Sequence, residues 1–214
     1  VTERNTPAIR SALRALVPDV TSLAAKLVDQ QGKVKSLVKA GMADPDPGAL
    51  ENLYRDAWQT GQTAARALVD VSKADAGTPT VLDSLLALAG EIWQAIAGWT
   101  SDRIATVVTE ALTSGEHADV RSIAQQINEI VDDPDRAHMI AQTETTRAMT
   151  GAAMATYREF GTEQIEFLTA DDDHVDELCG QNEDHGPVPI DHTDQLPHGL
   201  PPVHPRCRCT VVPA

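Results

Sequence analysis

The hydrophobic periodicity changes at Gly161, and that change constrains the fold more than any other feature of the sequence. Before it, apolar residues recur three and four positions apart for most of 160 residues, the spacing of one face of a helix. After it, apolar residues thin out among Asp, His, Pro, Gly and Cys. Aromatic residues make up only 3% of the chain, so the core must be built from Ala, Leu, Val and Ile. That palette favours closely packed helices over a β-sandwich. The expected fold is mainly α with a small C-terminal α+β module: a helical N-terminal region, a long helix, then a short antiparallel sheet with a long loop.

Local signals place the elements. Thr6-Pro7 reads as an N-cap with proline at the first helical position, followed by Ile9, Leu13 and Leu16; Pro18 closes that helix. Val20, Leu23, Ala24 and Leu27 form a second stripe, with Val34, Leu37 and Val38 continuing it toward Gly41. The turn MADPDPG at 42–48 is a hinge. Leu50, Leu53, Tyr54, Trp58, Thr63, Ala64 and Leu68 mark a third helix, in which Gly61 permits close packing. After a break over ADAGTPT, Thr78-Pro79 caps a helix whose stripe is Leu85, Leu88, Ile92, Ile96 and Trp99, with a break expected near Gly98 before Ile104, Val107, Val108 and Leu112. Ser114-Gly115 ends it. Val120, Ile123, Ile127 and Ile130 give a short amphipathic helix, and Asp133-Pro134 opens a final long helix over 134–160. Small residues line that helix at Ala137, Ala141, Thr145, Ala148, Ala152 and Ala155, and Glu144 and Arg147 stand three apart, able to pair. Strands are expected at EQIEFLTA (163–170), at the edge around Val188, Pro189 and Ile190, and at CRCTVV (207–212). The chain divides as a helical region 1–132 and a module 133–214.

Charge narrows the function classes. Seventeen Lys and Arg against 32 Asp and Glu give a net charge of −15. Such a surface repels phosphate backbones and argues against sequence-independent nucleic-acid binding. The most apolar window, Val81 to Trp99, is interrupted by Asp83 and Glu91 and reads as a core helix rather than a bilayer span. The polar N-terminus has no apolar signal region, so neither secretion nor a membrane partner is expected.

The chemistry is concentrated near the end. All three cysteines, Cys179, Cys207 and Cys209, fall in the last 36 residues, and five of the seven histidines lie in the same tail. Asp176-x-x-Cys179 and His204-x-x-Cys207-x-Cys209 form a candidate metal set. Two ligands with two residues between them can converge from a tight turn, and Cys207 and Cys209, if on a strand, share a face. Thiolate and imidazole suit tetrahedral zinc, and a carboxylate can also serve. A disulfide, or reduced buried thiols, would equally account for the cysteines. Three Asp-His pairs, at His174, His185 and His192, raise an alternative: a metal-dependent nuclease using the acidic loop. Such an enzyme also needs basic residues to hold DNA, and this loop has none before Arg206. The run DDDHVDE lacks the glycine and distal glutamate of a calcium loop.

The segments RAHMIAQTETTRAM (136–149), EQIEFLTADDDHVDELCGQNEDHGPVPI (163–190) and PPVHPRCRCTVV (201–212) resemble the phage head morphogenesis family, the Mu F-like minor head proteins. The HPxCRC ending is the most specific element and the TETxRA helix the second. The family motif falls on Thr143, Glu144 and Arg147, and on Pro205 and Arg208. The helical text LYRDAWQTGQTAARAL (53–68) is more loosely similar to the variable N-terminal region of such proteins in actinobacterial phages and prophages. Two positions depart from the family pattern: Gln142, where many members have Arg, and Asp176, where many have the first Cys of a CxxC. The resemblance implies a non-enzymatic minor capsid protein of a tailed phage or prophage. It would be made in the host cytoplasm and built into the procapsid or virion, with portal or capsid proteins as partners for head assembly or DNA delivery. Structural zinc is the one cofactor that the Cys and His residues suggest. A free-standing zinc adaptor is the remaining alternative.

Overall fold

The computed structural model describes residues 1–69, 80–114, 119–172 and 175–214. The Thr78-Pro79 cap, Gly115 and the Asp173-His174 pair lie outside the described residues. The described elements are α1 (Thr2–Ala15), α2 (Val20–Asp29), α3 (Val34–Gly41), α4 (Gly48–Arg66), α5 (Thr80–Ser114), α6 (Val120–Val131), α7 (Pro134–Glu159), β1 (Gln164–Leu168), α8 (Glu177–His185), β2 (Val188–Pro189) and β3 (Thr210–Pro213). The chain is therefore mainly helical with a small antiparallel sheet near its end, as the periodicity predicts. Its contacts group into two compact units.

One unit comprises Thr6–Ala49 and Gly90–His138. Its core is aliphatic: Leu23, Ala24 and Leu27 of α2 and Val38 of α3 are buried with Ile104 and Val108 of α5 and Ile123 and Ile127 of α6. Aspartates set the helix starts. Asp19 accepts from Ser22 N, and Asp119 accepts from Arg121 N and Ser122 N, filling amide positions that no carbonyl can reach. A single 3-10 turn at Gln31–Lys33 separates α2 from α3, so the second stripe is two helices rather than one. Residues 42–47 are irregular, as the prolines dictate, and Ala43 N donates to Leu16 O at 2.9 Å.

The other unit comprises Val1–Asn5, Leu50–Ala89 and Met139–Ala214. Here α4 buries Leu50, Leu53, Tyr54, Ala57, Trp58, Gly61 and Ala65. Gly61 lies against α7: a Cβ there would stand 2.9 Å from Met149 Cα and 3.0 Å from Ala152 Cβ. The small residues of α7 and the missing side chain at 61 together allow two helix backbones to approach this closely. In the sheet, β1 is central. It pairs antiparallel with β2 through Ile165 and Val188, and with β3 through Phe167 and Val211. Pro189 sits on the edge strand, where its missing amide leaves no ladder bond unmade.

Five local expectations need correction. The first helix begins at Thr2, with Pro7 inside it. Asn5 closes the first turn early, its backbone and side-chain amides both donating to Val1 O. Proline forgoes one bond, to the Glu3 carbonyl, and the turn before it is already formed. Second, α4 turns Ala57, Gly61 and Ala65 inward and Thr63 and Ala64 outward, and it ends at Arg66, leaving Leu68 exposed in the turn that follows. Third, α5 runs unbroken through Gly98, and its buried face is Ala89, Trp93, Ile96, Ala97 and Thr100; of the expected stripe only Ile96 is fully buried, while Leu85, Leu88 and Ile92 are half-buried. Trp99 is 68% exposed. By length and composition alone, α5 is long and apolar enough to cross a membrane. Fourth, the acidic loop contains α8. Fifth, the final strand begins at Thr210, after Cys207 and Cys209.

Candidate functional site

The sulfur and imidazole donors converge from three pieces of backbone. Cys179 lies in the first turn of α8, His204 in the loop that follows, and Cys207 and Cys209 on the extended approach to β3. Burial alternates over 207–211: Cys207, Cys209 and Val211 are buried, while Arg208 and Thr210 face outward. The shared face expected of the two cysteines therefore exists, although they precede the strand. Cys179 Sγ is 3.2 Å from His204 Nε2 and 3.9 Å from Cys207 Sγ. All three donor atoms lie within 4.8 Å of one another. Cys209 adds a third thiol, within hydrogen-bonding reach of Cys179 and approached by the Ala170 amide. All three cysteines are buried free thiols. Burial, followed by the neighbouring thiols, pushes Cys179 far above the ordinary thiol range. Burial raises Cys209 in the same direction.

The tautomer of His204 follows from its neighbour. Nδ1 is 2.8 Å from Pro205 O. A carbonyl can only accept, so Nδ1 carries the proton and the lone pair of Nε2 faces Cys179.

Asp176 does not join the group. Its carboxylate accepts from Leu178 N at 2.8 Å and caps α8. That cap orients the turn carrying Cys179, which gives Asp176 a structural role three residues from the cluster. The Asp-His pairs are also apart from it. Asp184 and His185 are exposed at the end of α8, Asp191 pairs loosely with Arg158, and His192 with Asp194.

The TETTRA text of α7 explains why the two sequence motifs occur together. Thr143 Oγ1 accepts from Arg206 N at 2.9 Å, and Thr146 Oγ1 donates to Cys207 O at 2.7 Å. Two hydroxyls one turn apart thus hold the main chain of HPRCRC. Arg206 there takes φ +65°, a left-handed conformation that a non-glycine residue adopts only when its surroundings hold it. Arg208 pairs with Asp172 at 2.6 Å. The other two motif residues point to α4. Glu144, only 5% exposed, accepts from Arg147 Nε at 2.9 Å and from the Tyr54 hydroxyl at 2.5 Å. Burial, then the Glu144 charge, pushes the Tyr54 phenol far above its ordinary range.

Three further residues complete the site. Asn182, fully buried on α8, donates to Gly199 O and accepts from His198 N, fixing the loop that leads to His204. Thr146 and Tyr54 act across 61 and 90 residues of sequence. Thr146 fills the variable position of TETxRA, so the motif does not single it out, and Asn182 and Tyr54 carry no local signal of a site either.

A helical scaffold, a three-stranded antiparallel sheet and a buried thiol–imidazole cluster pinned to a long helix by threonines define a small α+β module. The chain belongs to the phage Mu protein F like family, whose model matches residues 102–212. The match begins within α5 and takes in α6, well upstream of residue 136, where the recognisable motifs begin. No curated protein and no solved structure matches the chain.

Proposed function

We propose that this chain is a non-enzymatic minor head protein of a tailed phage or prophage, which associates with the portal or capsid during procapsid assembly. The observation that carries this reading is the family match over 102–212, which spans every motif residue placed above. Those residues bond one another and the main chain: threonine to backbone, glutamate to tyrosine and arginine, arginine to aspartate. That is the pattern of a rigid contact module. The helical region docks on portal or capsid, and the net charge of −15 keeps the protein from adhering to packaged DNA.

Native mass spectrometry of the chain co-expressed with the portal protein encoded beside it tests this. A portal-bound species of defined stoichiometry is expected. A chain that stays free beside intact portal rings, and is also absent from procapsids assembled with the capsid protein, overturns the reading. So does metal-dependent DNA cleavage that disappears in His185→Ala or His192→Ala.

A further inference from the structure

We propose that Cys179, His204, Cys207 and Cys209 form a structural zinc site. A disulfide needs its sulfurs about 2.05 Å apart, whereas Cys179 and Cys207 stand 3.9 Å apart. Tetrahedral zinc, with bonds of about 2.3 Å to sulfur and 2.0–2.1 Å to nitrogen, sets its ligands roughly 3.8 Å apart for two sulfurs and about 3.6 Å for sulfur and nitrogen. The observed 3.9 Å between sulfurs matches the first spacing, and the 3.2 Å from Cys179 Sγ to His204 Nε2 is a few tenths of an ångström shorter than the second. The imidazole is also prepared for it: a carbonyl holds Nδ1–H, so Nε2 is directed at the cluster, the usual support of a metal-bound histidine. The Ala170 amide offers a second such support to the Cys209 sulfur.

The donor set selects the ion and the role. Three sulfurs and one imidazole favour zinc over the hard cations, which take oxygen. Cys179, His204 and Cys207 are the three mutually close donors; Cys209, the third buried thiol, is the proposed fourth ligand, and four protein ligands would close the coordination sphere and make the site structural. Binding replaces the three thiol protons with one Zn2+, releases those protons to solvent, and leaves a cluster of net charge −1. The ion would tie α8, the 196–206 loop and the approach to β3 together, at one edge of the cluster formed by Ile165, Val188, Leu196 and Val211.

The test uses the full chain and zinc alone, independently of any portal. Elemental analysis and native mass spectrometry should find one zinc per chain. Cobalt substitution should give tetrahedral d–d bands with thiolate charge transfer. Cys179→Ser, Cys207→Ser and His204→Ala should each weaken zinc at least tenfold. Cys209→Ser should lose one thiolate's share of the cobalt charge-transfer intensity. Asp176→Asn, which keeps a capping side chain but ligates poorly, should keep full zinc. A wild-type chain that takes up neither zinc nor cobalt while its three thiols react freely overturns the proposal. Zinc lost in Asp176→Asn but kept in Cys209→Ser overturns the ligand set. Because the wild-type spectra stand alone, misfolding of a variant leaves the proposal testable.

Discussion

The aliphatic unit and the C-terminal module solve the same stability problem by opposite means. The main core cluster of α2, α3, α6 and the C-terminal part of α5 is Leu, Val, Ile and Ala, and its stability follows from apolar area removed from water. Around α7, α8 and the sheet, the interior also holds three thiols and Asn182, and hydroxyls from α7 reach the main chain. The first kind of interior constrains volume and tolerates variation in identity. The second constrains identity, because a hydroxyl or thiol has few substitutes that meet the same partner. The sequence motifs lie in the second kind, and the aliphatic unit shows only periodicity.

Substitutions in each region can break or sharpen that contrast. The largest effect belongs to the aliphatic core. Ile127→Ala, at a fully buried position of α6, should cost about 2–5 kcal/mol in urea unfolding. Ile127→Val should cost about 0.5–1.5 kcal/mol. If the two variants are equally destabilised, this core is not governed by volume.

Next comes the buried phenol. Tyr54→Phe removes a hydrogen bond to a buried carboxylate and should cost about 1.5–3 kcal/mol at neutral pH. It should also change the pH dependence. The phenol is raised in the fold but ionises near about pH 10 in the unfolded chain. Its stabilisation is thus fully present below pH 10 and is lost as the pH climbs above it. The stability gap between wild type and Tyr54→Phe should narrow by somewhat under about 1 kcal/mol from pH 8 to pH 10.5; a constant gap would remove Tyr54 from the alkaline response.

Thr146→Val keeps shape and deletes the donor to Cys207 O, and should cost about 1 kcal/mol. Thr146→Ser should recover most of it. If serine fails to rescue, the methyl group rather than the hydroxyl is what matters at 146. The smallest effect is a gain. A Cβ at Gly98 on α5 meets nothing within 4 Å, so Gly98→Ala should stabilise by about 0.5–1 kcal/mol through helix propensity alone. A loss on thermal melting would mean that α5 is bent there.

The helices were legible where one face was apolar and the other polar, as in α2 and α6. On α5 the phase was not. Leu85, Leu88 and Ile92 compete with Ala89, Trp93, Ala97 and Thr100, Ile96 is common to both readings, and only packing decides between them. No periodicity could reveal α8, because it buries just Cys179 and Asn182; its Asp176 cap and its long-range pins hold it. The donors of the site were legible by residue type and spacing, except that Asp176 reads as a ligand until its cap bond is seen. The Tyr54–Glu144–Arg147 group was half legible. The i, i+3 pair lies in one motif, and its third member is 90 residues away.

The pins from α7 have one more consequence. Thr143 and Thr146 grip the amide of 206 and the carbonyl of 207, atoms that every non-proline residue carries. What they select at 206 is a left-handed backbone, which asparagine and glycine adopt more readily than arginine. The grip at 206 is thus on the backbone: glycine or asparagine there should keep it, whereas a β-branched residue should strain it.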